Sequence, residues 1–268
     1  MKRLLWIVDS FVKINRKVLI FKANYTLMRL AIISDIHSNT DALLKVLSDA
    51  VESFVDEIIC LGDVIGYGPE PNEAIHAINE RDIPTVIGNH ELGVVRKDYL
   101  KLLNPVAYQS LLINMDVLSE ESWAFIKKLE TSLVFYNSRF VHGFPPDSPT
   151  IYMFEPDEEG MCEAFGKYGE RLCFTGHTHR LEFIEYDGNS VTCSHLSKGL
   201  TVLCRNKRYI INAGSVGQPR DGDKHAKYLI WDTKDDTIEV KYVPYDIDLV
   251  VNKIIISGLP EVNARRLV

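Results

Sequence analysis

Leu30-Ala31-Ile32-Ile33-Ser34-Asp35-Ile36-His37-Ser38-Asn39 is a run of four apolar residues that ends in a polar turn. Unbroken apolar character over so short a run is what a strand buried on both faces requires. Asp35 and His37 then fall just past the strand's carboxyl end, where open α/β sheets place their ligands. Thr40 or Asp41 can cap a following helix that reaches about Val51, with Leu43, Leu44, Val46 and Leu47 on its inner side.

The same arrangement repeats downstream. Residues 57–61 read as a second buried strand and run into Gly62-Asp63-Val64-Ile65-Gly66-Tyr67-Gly68, whose glycines let backbone approach whatever Asp63 holds. Residues 72–81 read as a helix, and residues 84–87 as a third strand ending in Gly88-Asn89-His90-Glu91. Right-handed crossovers in such a β-α-β-α-β unit collect the polar strand ends along one sheet edge. Asp35, His37, Asp63, Asn89 and His90 are thereby expected to be neighbours.

A third cluster lies further on. Residues 171–175 read as a buried strand that turns at Gly176-His177-Thr178-His179. Two imidazoles at i and i+2 can each face a metal ion, and neutral ring nitrogens suit Zn, Fe, Mn or Ni. Between these clusters, residues 94–130 read as largely helical, broken at Asn104-Pro105, with the last helix opened by Ser119. A hairpin around Asn137-Ser138 delivers His142, residues 144–149 form a proline-rich loop, and residues 156–168 form a short acidic helix. The chain after residue 180 is β-rich and is expected to build a second sheet, with residues 247–256 and 261–267 as a helical tail. Two sheets flanked by helices make an α/β architecture.

Composition limits the remaining possibilities. The chain has 268 residues, 46% hydrophobic and 25% charged, enough for one sizeable core. A net charge of −7 offers no broad basic field, so stable nucleic-acid binding is not expected. The five cysteines are odd in number and form no C-x-x-C pair, which fits a reducing cytoplasm. Residues 1–27 carry Lys2, Arg3, Lys13, Arg16, Lys17 and Lys22 against Asp9, with no run near the roughly 20 apolar residues of a membrane span. They read as a basic extension ahead of a domain starting at Met28, or as a segment lying on a membrane surface. The domain is expected over residues 28–246 and the tail over 247–268; oligomeric state is not legible.

Five motifs in order, Asp35-Ile36-His37, Gly62-Asp63, Gly88-Asn89-His90-Glu91, His142 and Gly176-His177-Thr178-His179, resemble the metal-site motifs of calcineurin-like metallophosphoesterases. The resemblance covers roughly residues 28–244. The stretch Ile211-Asn212-Ala213-Gly214-Ser215-Val216-Gly217-Gln218-Pro219-Arg220 is similar to bacterial and archaeal members of that family. It implies a four-layer α/β/β/α fold with two packed mixed sheets. It also implies two divalent metal ions, one held by Asp35, His37, Asp63 and His179, the other by Asp63, Asn89, His142 and His177, with Asp63 bridging. Metals about 3.5–4 Å apart lower the pKa of a shared water, and the resulting hydroxide attacks phosphorus in line. The resemblance gives His90 the role of protonating the leaving oxygen.

Departures from the family bear on the substrate. Gly66 and Tyr67 stand where Ser/Thr protein phosphatases and dinucleoside tetraphosphatases carry Asp and a phosphate-gripping Arg, and Gly93 stands where they carry another Arg. A phosphomonoester dianion favours bidentate guanidinium, so the missing clamps point to a small phosphodiester. Arg220 either supplies a cation from its loop or sits in a surface turn. Alternative readings are a phosphomonoesterase of protein-phosphatase type, a nuclease, or a non-catalytic metal-binding scaffold.

Overall fold

The computed structural model describes residues 27–268, so the extension expected over residues 1–27 lies outside the described residues apart from Leu27. In chain order the elements are β1 (Arg29–Ile33), α1 (Thr40–Glu52), β2 (Glu57–Cys60), α2 (Pro71–Asn79), α3 (Asn89–Val95), α4 (Lys97–Leu100), α5 (Pro105–Val117) and α6 (Glu120–Ile126). They continue with β3 (Ser132–Phe135), β4 (Ser138–Val141), α7 (Glu158–Gly166), β5 (Leu172–Thr175), β6 (Leu181–Tyr186), β7 (Val191–His195) and β8 (Gly199–Val202). The chain closes with β9 (Arg208–Ala213), β10 (Ala226–Asp232), β11 (Thr237–Val243), α8 (Ile247–Ile256) and α9 (Glu261–Arg265). Helix α1 is capped one residue earlier than expected, by Asn39, whose side chain accepts from the Ala42 amide.

Two mixed sheets pack face to face, one ordered β2-β1-β10-β11-β8 and the other β3-β4-β5-β9-β6-β7. The apolar runs alternate between two cores, as a period of two requires. Leu30 and Ile32 point between the sheets with Phe174, Ile211, Leu229 and Trp231. Ala31 and Ile33 point the other way, onto α1 and α2. On the far side Val141, Cys173 and Ile210 pack on Met161, Ala164 and Phe165 of α7. Helices, sheet, sheet and helix therefore form the four expected layers.

Two expectations need correction. The β-rich stretch after residue 180 does not all enter the second sheet. β10 pairs antiparallel with β1, matching Leu30 to Trp231, and β11 and β8 extend that first sheet. Strands buried on both faces carry no sequence mark of which sheet they join. The third strand is reduced to single parallel bridges, Cys60 to Thr85 and Val86 to Glu130. Pro84 has no N–H to donate, which shortens the ladder there.

The topology converges on one edge. β1 and β2 are parallel, as are β4, β5 and β9. Backbone bonds join the turns that follow them: Gly176 N donates to His142 O at 2.7 Å, and Val216 N to Ser34 O at 2.9 Å. No helix among the described residues is long and apolar enough to cross a membrane.

Candidate metal centre

All seven expected ligands and His90 meet at this edge. Asp35, His37 and His179 bring one ligand atom each within 4.8 Å of one another, and so do Asp63, His142 and His177. A third such group joins His37, Asp63 and His90, so distance alone does not set His90 apart from the ligands. Asn89 enters through its side-chain oxygen, 3.1 Å from His142 Nε2.

Second partners fix the rings. His37 Nδ1 lies 3.1 Å from Ile65 O, His142 Nδ1 2.8 Å from Leu61 O, and His179 Nδ1 2.6 Å from Gln218 O. A carbonyl only accepts, so each Nδ1 carries the hydrogen, and in the neutral ring Nε2 presents a lone pair to the centre. His177 is turned the other way, with Nε2 3.2 Å from Thr150 O and its ring stacked on Tyr152 at 3.7 Å between centroids.

The donor set fits cations on this structure's own evidence. His37 Nε2 and His179 Nε2 stand 3.0 Å apart. Two bare lone pairs at that distance repel unless a proton or a cation is shared between them. Asp35 Oδ2 accepts from Ser34 Oγ and the His177 amide, but the buried Oδ1 has no hydrogen-bond partner among the described residues. That orphan lies 3.2 Å from His179 Nε2. Asp63 Oδ1 accepts from the His90 amide at 2.9 Å, while Oδ2 faces His142 at 3.3 Å and His37 at 3.8 Å.

The metal-free electrostatics follow from this crowding. Burial would raise the Asp35 and Asp63 carboxyls, but the facing imidazoles hold both below the usual range. His142 resists its burial because Asp63 is beside it, and its pKa is pushed up to about 9. Burial, then the charge of His142, pulls His177 down to about 3. Burial also lowers His37 and His90.

Backbone conformation is unusual at the same residues. Asp35, His37, Asp63, His177 and His179 have φ of 53, 49, 50, 68 and 60°. Non-glycine residues held there cost about 1–3 kcal/mol each and cluster at functional sites. Gly88 allows a close approach: a methyl group on it would lie 2.1 Å from Asp63 Oδ1.

In the sequence Glu91 stood only as the last residue of the Gly88-Asn89-His90-Glu91 motif. Its buried carboxylate accepts from the amides of Asp63, Ile65 and Gly88 at 2.9, 3.0 and 3.0 Å, which ties together the loops bearing Asp63 and Asn89. Burial, then the Asp63 charge, pushes its pKa up to about 7. Arg220 is not in a remote turn. It lines a cleft of about 470 Å³ that opens over the cluster, and its amide donates to His179 O at 3.2 Å. The cleft's other walls include Tyr67, Leu102, Leu103, Ile151 and Tyr152. His76 and His225 lie elsewhere, paired with Glu80 and Asp223.

Residues 28–236 match the calcineurin-like phosphoesterase superfamily domain. An uncharacterized protein of Methanocaldococcus jannaschii is 38% identical over 244 residues, covering 89% of this chain and 96% of its own length. The crystal structure of a metallophosphoesterase from Sphaerobacter thermophilus superposes with a TM-score of 0.78 at 33% identity, covering 90% of this chain and 98% of that one. A hypothetical protein of Pyrococcus horikoshii shares the fold at TM-score 0.71 and 18% identity, over 89% of this chain and 97% of that one.

Proposed function

This chain belongs to the calcineurin-like phosphoesterase superfamily and is a metal-dependent phosphoric ester hydrolase; we propose that it is a phosphodiesterase acting on a small substrate. Asp35, His37, Asp63 and His179 would hold one cation, and Asp63, Asn89, His142 and His177 a second, Asp63 contributing to both. Candidates are Mn, Fe, Zn and Ni. Bound there, such ions neutralise phosphate charge and make water more acidic.

The chain's own groups do the remaining work. Arg220 draws the phosphate into the cleft and orients it. His90, as the imidazolium with Nε2 4.0 Å from Asp63 Oδ2, passes its Nε2 proton to the leaving oxygen. Overall, water oxygen bonds to phosphorus, the bond to the leaving oxygen breaks, that oxygen departs with the His90 proton, and the proton shed by the water restores His90.

The observation that carries the diester reading is the cleft's single guanidinium. Among the described residues lining it, Arg220 is the only Lys or Arg. One fixed cation suits a monoanionic diester better than a dianionic monoester. The cleft's volume supports a small substrate. All five cysteines are free, which supports a reducing compartment such as the cytoplasm.

The test is a paired assay on protein stripped with chelator and reloaded with Mn²⁺. Turnover of bis-p-nitrophenyl phosphate is compared with that of p-nitrophenyl phosphate, with His90→Ala and Asp63→Asn alongside. Metal-dependent diester cleavage weakened in both variants is expected. A preference for the monoester would overturn the diester reading.

A further inference from the structure

The structure assigns a positioning role to Asn263, in the C-terminal helix α9: through the Gly66–Tyr67 turn it holds His90 in register with the leaving group. This rests on the proposed role of His90. Helix α9 lies beyond residues 28–236, the extent of the family match.

His90 lacks the usual means of orientation. Its buried Nδ1 has no hydrogen-bond partner among the described residues. Catalytic imidazoles are commonly oriented by an acceptor on the second ring nitrogen. Here that nitrogen faces the Cα of Gly66, and a methyl group there would lie 2.0 Å away. The Tyr67 and His37 rings flank His90, each 4.8 Å away between centroids. His90 is therefore held by contact, and its aim depends on where the 66–68 turn sits.

That turn needs outside support. Gly66 and Tyr67 have φ of 92 and 57°, a left-handed pair that does not hold itself by a regular ladder. Asn114 clamps one side, accepting from Gly66 N at 2.8 Å and donating to Gly68 O at 3.1 Å. Asn263 clamps the other. Fully buried, it donates from Nδ2 to Tyr67 O at 2.9 Å and to Ser110 Oγ at 2.8 Å. Arg266, one turn on, lies over the Tyr67 ring at 5.4 Å, and Arg220 lies 5.8 Å from the same ring. Among the described residues Asn263 is the only side-chain donor to Tyr67 O, and a buried carbonyl stripped of its donor moves to find another. A shift well under 1 Å in the turn is enough to misdirect the ring.

The experiment compares two diesters that differ in leaving group, phenyl and p-nitrophenyl, on full-length protein reloaded with Mn²⁺. p-Nitrophenolate departs readily without a proton donor, whereas phenolate needs one more. The ratio of the two rates is independent of how much of a variant is folded. Asn263→Ala, and the near-isosteric Asn263→Leu, are expected to lower the phenyl to p-nitrophenyl ratio by about tenfold or more. Metal content should be unchanged, and neither variant should lower the ratio further in a His90→Ala background. Amide exchange at residues 66–68 should rise in both variants even in stripped protein. An unchanged ratio in both Asn263 variants, with the ratio lowered in His90→Ala, overturns the positioning role alone. An unchanged ratio in His90→Ala itself overturns the leaving-group role of His90, and the positioning role with it.

Discussion

His37 Nε2 and His179 Nε2 face each other across 3.0 Å, in rings whose Nδ1 hydrogens are both committed to backbone carbonyls. A cation bound by both atoms turns this repulsion into attraction, so loading must stabilise the fold. Chelation should lower the melting temperature and re-added Mn²⁺ restore it. At a hundredfold excess over Kd the gain is about 2.7 kcal/mol per site. A midpoint that ignores the ion would rule the centre out.

Metal-free protein should lose stability as pH rises. His142 titrates at about 9 when folded, against 6.5 as a free side chain. The proton it holds beside Asp63 stabilises the folded state fully below about 6.5, and this contribution is lost as pH rises through about 9. Urea midpoints of the chelated protein should fall across that window, and His142→Gln should flatten the fall. Loaded protein should show the opposite trend, because the cation must displace that proton.

Gly66→Ala should depress turnover while sparing cation binding. The added methyl would meet His90 Nδ1 at 2.0 Å, and the φ of 92° is itself costly for alanine. A fall of about a hundredfold in kcat with full metal content is expected.

Arg220→Ala should lower kcat/KM for a diester by about 10–100-fold, the loss of one charged hydrogen bond to phosphate. Its Nε is buried without a partner among the described residues, while Nη2 donates to Gln218 Oε1. Unchanged kinetics would return Arg220 to a purely structural place in its loop.

Phe174→Ala should destabilise by about 3–5 kcal/mol, the usual cost of emptying a core aromatic site. Phe174 joins the sheets, stacked on Phe140 at 5.3 Å and packed on Trp231 at 5.5 Å. Chemical denaturation of the loaded protein would measure the loss.

Legibility in the sequence followed physical reach. The Leu30–Ile33 and Ile59–Leu61 runs announced their strands because both faces are buried, and the turns after them announced the cluster because polar residues follow each apolar run. The sheet joined by β10 was hidden, since Leu229 and Trp231 face one core while Tyr228 and Ile230 face another. Residues 84–87 looked like a full strand because side-chain pattern says nothing of the N–H that Pro84 lacks. Asn114 and Asn263 could not be singled out from sequence alone. Their roles depend on backbone groups up to 196 residues away, as for Asn263 and Tyr67.

The Asp35 turn is braced from far downstream, by Ser215 Oγ on Asp35 O across a separation of 180 residues and by Gly217 N on the same carbonyl. The turn's amides are met early, by Gly62, Asp63 and Val64 carbonyls, but a chain emerging at about 5–20 residues per second leaves the Asp35 carbonyl without these two partners for roughly 10–40 s. During synthesis the amino-terminal half therefore exposes acids and imidazoles without the geometry that selects an ion. The centre's geometry is complete only once the chain's last third, carrying Ser215 and Gly217, has arrived.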